Sequence, residues 1–199
     1  MPATKPATAS SAVDPPDGAP SAIGATVTGA TPSVAGAGAI SAGAVAAGTG
    51  AAISPASSYG GRQFDIAVLI WKDPRRGHWW LQLGSGGALV GYWPSSLFTH
   101  LGSRADMVQF GGEVVNARPA GAPHTPTQMG SGRFPGEGYA RAAYFRNLQV
   151  VDWDNSLVPA AGLRLLADRP GCYDIAGGSG GAWGTYFYYG GPGRNARCP

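Results

Sequence analysis

The stretch "FDIAVLIWKDPRRGHWWLQLGSGGALVGYW", residues 64–93, contains three runs of aromatic, aliphatic and β-branched residues, each too short for a stable helix. Asp73-Pro74 closes the first run, and "GSGG" at 84–87 separates the second from the third. Short apolar runs between such punctuators predict consecutive antiparallel strands. The same texture recurs in "MVQFGGEVVN" (107–116), "TQMGSGRF" (127–134), "ARAAYFRNLQVVDW" (140–153) and "WGTYFYYGGPG" (183–193). Helical spacing occurs in "PSSLFTHL" (94–101), where a proline precedes Leu97, Phe98 and Leu101, and a short helix is expected there. The fold class that follows is all-β, an antiparallel sandwich or barrel.

Outside this region the composition changes. All six tryptophans and all eight tyrosines occur at or after Tyr59, and residues 18–61 contain no charged side chain. Small side chains bury too little apolar area to offset the entropy of ordering the backbone, so residues 1–50 are expected to form a disordered Gly/Ala/Pro-rich tail ahead of a folded domain at 51–199. The run at 34–53 reaches membrane-spanning length, but its Gly/Ala content is poorly hydrophobic and no membrane span is expected. The first twenty residues offer Lys5 and then prolines and acids, which is not the pattern of a secretory signal.

The net charge of +3 comes from scattered basic residues, with Arg75-Arg76 as a pair. A surface that tracks phosphates needs clustered cations, so nucleic acid is not an expected partner. The "GSGG" runs at 84–87 and 178–181 read as hairpin turns; neither has the lysine and hydroxyl of a phosphate loop or the spacing of a serine nucleophile, and no cofactor motif is present. His78, His100 and His124 are far apart in sequence and the cysteines have no zinc spacing. Cys172 and Cys198 could close a terminal loop as a disulfide or remain buried thiols; their spacing favours neither.

The chain has two glutamates, Glu113 and Glu137. In "VQFGGEVV", alternation puts Val108, Phe110 and Gly112 on one face and Gln109, Gly111, Glu113 and Val115 on the other. The adjoining glycines allow another group to approach closely. An exposed strand glutamate is the ordinary reading, and a catalytic carboxylate the sharper one. Glu137, in "FPGEGYA", belongs to a turn, and nothing local brings it to Glu113. In "YFYY" (186–189) one face of the strand is expected to look outward or into a cleft, where aromatic rings stack on sugars or extended peptides.

Taken in order, the segments from Ala51 onward, with "FGGEV", "TQMGSGRFPGEGYARAAYFRNLQVVDWD", "CYDI" and the closing "WGTYFYYGGPGRNARCP", resemble the C-terminal part of the plant neprosin family (DUF239). The resemblance implies a secreted glutamic endopeptidase that cuts after proline in acid, without a cofactor, in a β-sandwich whose cleft carries two glutamates. It implies that Glu113 is the second of these, that Cys172 and Cys198 are bonded, and that the setting is extracellular or vacuolar. The family's first glutamate lies upstream, and no glutamate precedes Glu113 in this sequence. The expectation is therefore an incomplete sandwich and dyad, with "FDIAVLIW" as an exposed sheet edge and little or no turnover. The alternative expectation is a non-catalytic module that holds proline-rich peptide or cell-wall glycan.

Overall fold

In a computed structural model, residues 7–13, 25–30, 55–84, 87–116 and 121–199 are described, the first two stretches as backbone. They contain twelve strands: β1 (Ala7–Val13), β2 (Ala25–Ala30), β3 (Asp65–Lys72), β4 (Trp79–Leu83), β5 (Ala88–Trp93), β6 (Val108–Val114), β7 (Ala143–Arg146), β8 (Gln149–Val151), β9 (Leu157–Pro159), β10 (Leu163–Ala167), β11 (Asp174–Ser179) and β12 (Thr185–Gly190). The three runs of residues 64–93 form the meander β3-β4-β5. Cross-strand aromatic pairs fix its register: Trp71 faces Trp80 and Trp80 faces Tyr92, with ring centroids 6.3 and 4.8 Å apart. A bulge between Leu81 and Gln82 bends the last pair.

All pairings between strands are antiparallel. One sheet has the order β11-β12-β7-β2-β3-β4-β5, a second β10-β1-β6, and β8-β9 form a separate hairpin. The inner faces of the two larger sheets bury each other: Phe110 and Val114 of β6 join Phe187 and Tyr189 of β12, Ala143 of β7 and Met129 in one apolar cluster. Phe187 is wholly buried, stacked on Phe145 at 5.0 Å. The fold is an antiparallel β-sandwich.

Three expectations are corrected. The segment "FDIAVLIW" is not an edge, because β3 lies between β2 and β4 and both sides of its ladder are paired. The helix expected at 94–101 is a single 3-10 turn, Ser95–Leu97, that buries no residue. Helical spacing there has no surface to pack against, and a short helix is not stable on propensity alone. Gly178 and Ser179, taken as turn residues, lie in β11. Here glycine makes room for the partner strand, since a Cβ on Gly178 would stand 2.9 Å from the Tyr186 hydroxyl. Most of segment 1–50 lies outside the described residues. The two stretches of it that are described pair as strands, β1 between β6 and β10 and β2 between β3 and β7. Ladder hydrogen bonds from neighbours on both sides supply the ordering energy that small side chains lack.

Two contacts lock the core. Gly112 has no Cβ because one would lie 2.8 Å from Tyr189 Cε2 and 3.0 Å from Met129 Cγ. Cys172 and Cys198, both buried, form a disulfide across 26 residues, with Cα atoms 5.2 Å apart. The alternative left open by the residues is thus resolved in favour of the bond. We expect Gly112→Ala to overpack the sheet interface and lower stability by about 1–3 kcal/mol, read as a lower Tm without loss of β-sheet circular dichroism. Replacing both cysteines by serine removes loop closure worth about 3–4 kcal/mol and should lower Tm further than Gly112→Ala does.

Candidate active site

Glu113 projects from the outer face of β6. Phe110 and Val114 are buried while Gln109, Gly111 and Glu113 are exposed, so the strand alternates as the sequence predicts and the double glycine introduces no bulge. Gln109 shares that face but lies four residues away, about 13 Å along an extended strand, too far to bond the carboxylate. The Cα partner of Glu113 on β1 is Thr8. Further along, Ala12 is paired with Gln109 on one side and Arg164 on the other, which brings an exposed cation to the same sheet face. β1 is the only ladder partner of β6 among the described residues, so its other edge has no strand.

The two glutamates are not brought together. Glu137 ends a 3-10 turn, Pro135–Glu137, packed near β11 and β12, and its carboxylate accepts a hydrogen bond of 3.0 Å from the Tyr59 hydroxyl. The preceding Met129 contacts the inner side of β6, whereas Glu113 leaves the outer side.

A second polar group spans the larger sheet. The Asp65 carboxylate accepts from Arg146 Nε at 2.8 Å and from the Tyr144 hydroxyl at 3.2 Å, tying β3 to β7 across β2. Burial, then the adjacent Asp65 charge, holds the Tyr144 phenol well above its ordinary range. The Arg146 guanidinium lies 5.7 Å from the centre of the Trp183 ring. Trp183 in turn contacts Tyr139, Tyr144, Tyr186 and Tyr188, with centroids 4.8–6.1 Å apart. Phe187 and Tyr189 point inward, and Tyr186 and Tyr188 point to this cluster, as the alternation of "YFYY" requires. Tyr139 at its rim is 56% exposed, so the cluster presents open aromatic surface.

His124 is buried beside the disulfide, edge-on to Tyr173, with Nε2 unpartnered. Its ring nitrogen and the two cysteine sulfurs lie within 4.8 Å of one another. A metal requires thiolates, and these sulfurs are bonded to each other. The signals that sequence reading missed are Asp65, Arg146, Arg133 and Arg141. Each is an isolated charge in its own segment, and only pairing between strands or loops remote in sequence gives it partners.

An antiparallel sandwich closed by a buried disulfide defines an all-β, disulfide-stabilised domain. The chain belongs to the neprosin family, whose model matches residues 43–192, a span that includes Glu113 and Cys172. Among the described residues no helix is long and apolar enough to cross a membrane.

Burial also raises the Tyr189 phenol from its ordinary 10.0 to about 12. Between these values the unfolded chain releases the proton and the folded chain keeps it, so this residue contributes no pH dependence below pH 10.0 and stability falls as pH rises toward about 12. A Tm measured across pH 8–12 should show that decline, and Tyr189→Phe should flatten part of it.

Proposed function

We propose that this chain is a neprosin-type glutamic peptidase domain that takes proline-containing peptide as its ligand, with Glu113 as its catalytic carboxylate and with weak or no turnover. The observation that carries the reading is the position of Glu113: an exposed acid on the outer face of β6, within "FGGEV" and within the family match. Among the described residues one edge of β6 pairs with no strand, which supports it, since an extended peptide pairs with a free strand and would lie beside this carboxylate.

Hydrolysis of the bond after proline needs two proton-transfer roles. One carboxylate takes a proton from water as the hydroxyl adds to the carbonyl carbon, and a carboxylic acid gives a proton to the nitrogen as the C–N bond breaks. Glu113 fills one role. Thr8 stands across the ladder, and Glu137 is held by Tyr59 elsewhere. A disulfide-bonded domain fits an oxidising compartment, and we place it in the extracellular space or vacuole.

The aromatic cluster around Trp183 favours a second reading, a binding module in which rings stack on prolines or on cell-wall glycan. One set of measurements separates the two: cleavage of a quenched proline-containing peptide at pH 3–6, and affinity for that peptide by intrinsic fluorescence. We expect cleavage at or near background, abolished by Glu113→Gln where detectable, with peptide affinity weakened several-fold by Glu113→Gln. Rapid cleavage that depends on Glu113 would overturn the weak-turnover reading. Affinity unchanged by Glu113→Gln but lost on Trp183→Ala would replace the peptidase reading by the binding module.

A further inference from the structure

A cavity of about 460 Å³ opens on the opposite side of β6 from Glu113, between the 57–63 segment, the 128–133 loop and the start of β7. Its polar wall is formed by Tyr59, Gln63, Gln128, Ser131, Arg133 and Arg141. Both guanidiniums sit against one ring: Arg133 Cζ lies 4.6 Å and Arg141 Cζ 5.9 Å from the Tyr59 centroid. The Tyr59 hydroxyl is anchored on Glu137 at 3.0 Å, which fixes the ring and through it both cations. Among the described residues neither arginine lies within ion-pair distance of a carboxylate.

One residue of the wall keeps its hydroxyl out of reach of solvent. Ser131 Oγ is buried and has no hydrogen-bond partner. It is held there by the Met129–Gly132 turn, closed by Gly132 N–H donating to Met129 O at 3.0 Å, with Gly130 and Gly132 both in left-handed backbone that a side chain would strain. Gln63 spends its amide N–H groups on Ser58 O and Gly61 O. What remains along the cavity wall is two planar cations and the Gln128 amide, a donor set matched to an oxyanion. The volume exceeds that of an inorganic ion and falls in the range of organic-ligand pockets.

We propose that this cavity binds the carboxylate of an organic ligand, with Arg133 and Arg141 as the paired cationic contacts and Tyr59 as the residue that positions the arginines. Such a group occurs in acidic amino-acid side chains and in uronic acids. The site is independent of Glu113, and its test separates it from the peptidase reading. Amide chemical shifts of the purified full chain are followed while four probes are added: N-acetyl-L-glutamate α-amide and its uncharged glutamine analogue, and D-galacturonate and D-galactose. We expect saturable shifts at Gly130–Arg133 and Ala140–Ala143 with at least one acid, none with the neutral partners, and at least tenfold weaker binding in the Arg133→Gln/Arg141→Gln double variant. Both substitutions are at exposed positions and should leave the fold intact. Tyr59→Phe, which loses the anchor to Glu137, should weaken binding less, and Glu113→Gln should leave it unchanged. The acid that binds more tightly identifies the source of the carboxylate. The proposal is overturned if no acid shifts these amides, if the neutral partners shift them equally, or if the double variant binds as the parent does.

Discussion

The contact between β6 and β12 governs the rest of the structure. Tyr189 and Met129 press against β6 where Gly112 leaves no side chain, and Phe110 and Val114 enter the core on either side of that gap. With side chains alternating at a period of two, these inward residues oblige Gln109, Gly111 and Glu113 to face outward. A slip of one residue would bury the carboxylate unpartnered and expose Phe110, a penalty of several kcal/mol from the charge alone. The packing that holds the sheets together therefore also sets the direction of the candidate catalytic group.

How much of this was legible follows from where each signal is stored. The meander at 64–93, the alternation in "VQFGGEVV" and the two-faced "YFYY" are local patterns, and strand periodicity carries them directly. The strand Asp174–Ser179 was not legible because its glycines Gly177 and Gly178 adjoin Gly180 and Gly181 in a run that reads as a turn. They are strand residues because Tyr186 and Leu165 need the space above Gly177 and Gly178. The helix expected at 94–101 failed for the opposite reason: the local spacing was right, but no apolar surface covers Leu97, which is 65% exposed. Glu113 was singled out from rarity and context, whereas the Asp65–Arg146 pair and the Arg133/Arg141 cavity depend on contacts between segments remote in sequence. The disulfide was undetermined by spacing and became evident once both cysteines were found buried beside each other.

Charge in this domain is partitioned by the two sheets. Asp65 and Arg146 satisfy each other across β2, so that pair stitches the large sheet and leaves Trp183 as a supported but open ring. Arg133 and Arg141 face a cavity, and Glu137 is taken by Tyr59. Glu113 stands on the far side of β6 from all of them. No cation of the cavity neutralises it, and it does not fill the cavity in their place.

The lattice of a β-sheet limits where a second carboxylate could join Glu113. Groups that share a proton must approach within hydrogen-bond reach, and on one sheet face the nearest position is the directly opposed one, with Cβ atoms about 4.5–5.5 Å apart. On β6 itself the same-face neighbours are Gly111 and Val115, and across the ladder the position is Thr8. None is acidic. The remaining approach is from the unpaired edge of β6, where an incoming extended chain sets its own residues beside Glu113. Proline has no N–H to give to a ladder, so such a chain would have to place that residue where its nitrogen faces away from β6, which shifts the peptide bond that follows proline into register with a neighbouring position of the strand. On the proposed reading that edge gives an arriving peptide a way to be held against Glu113, and binding and chemistry come apart: the first needs only the open strand, the second needs a proton donor that no described position around Glu113 on this face supplies.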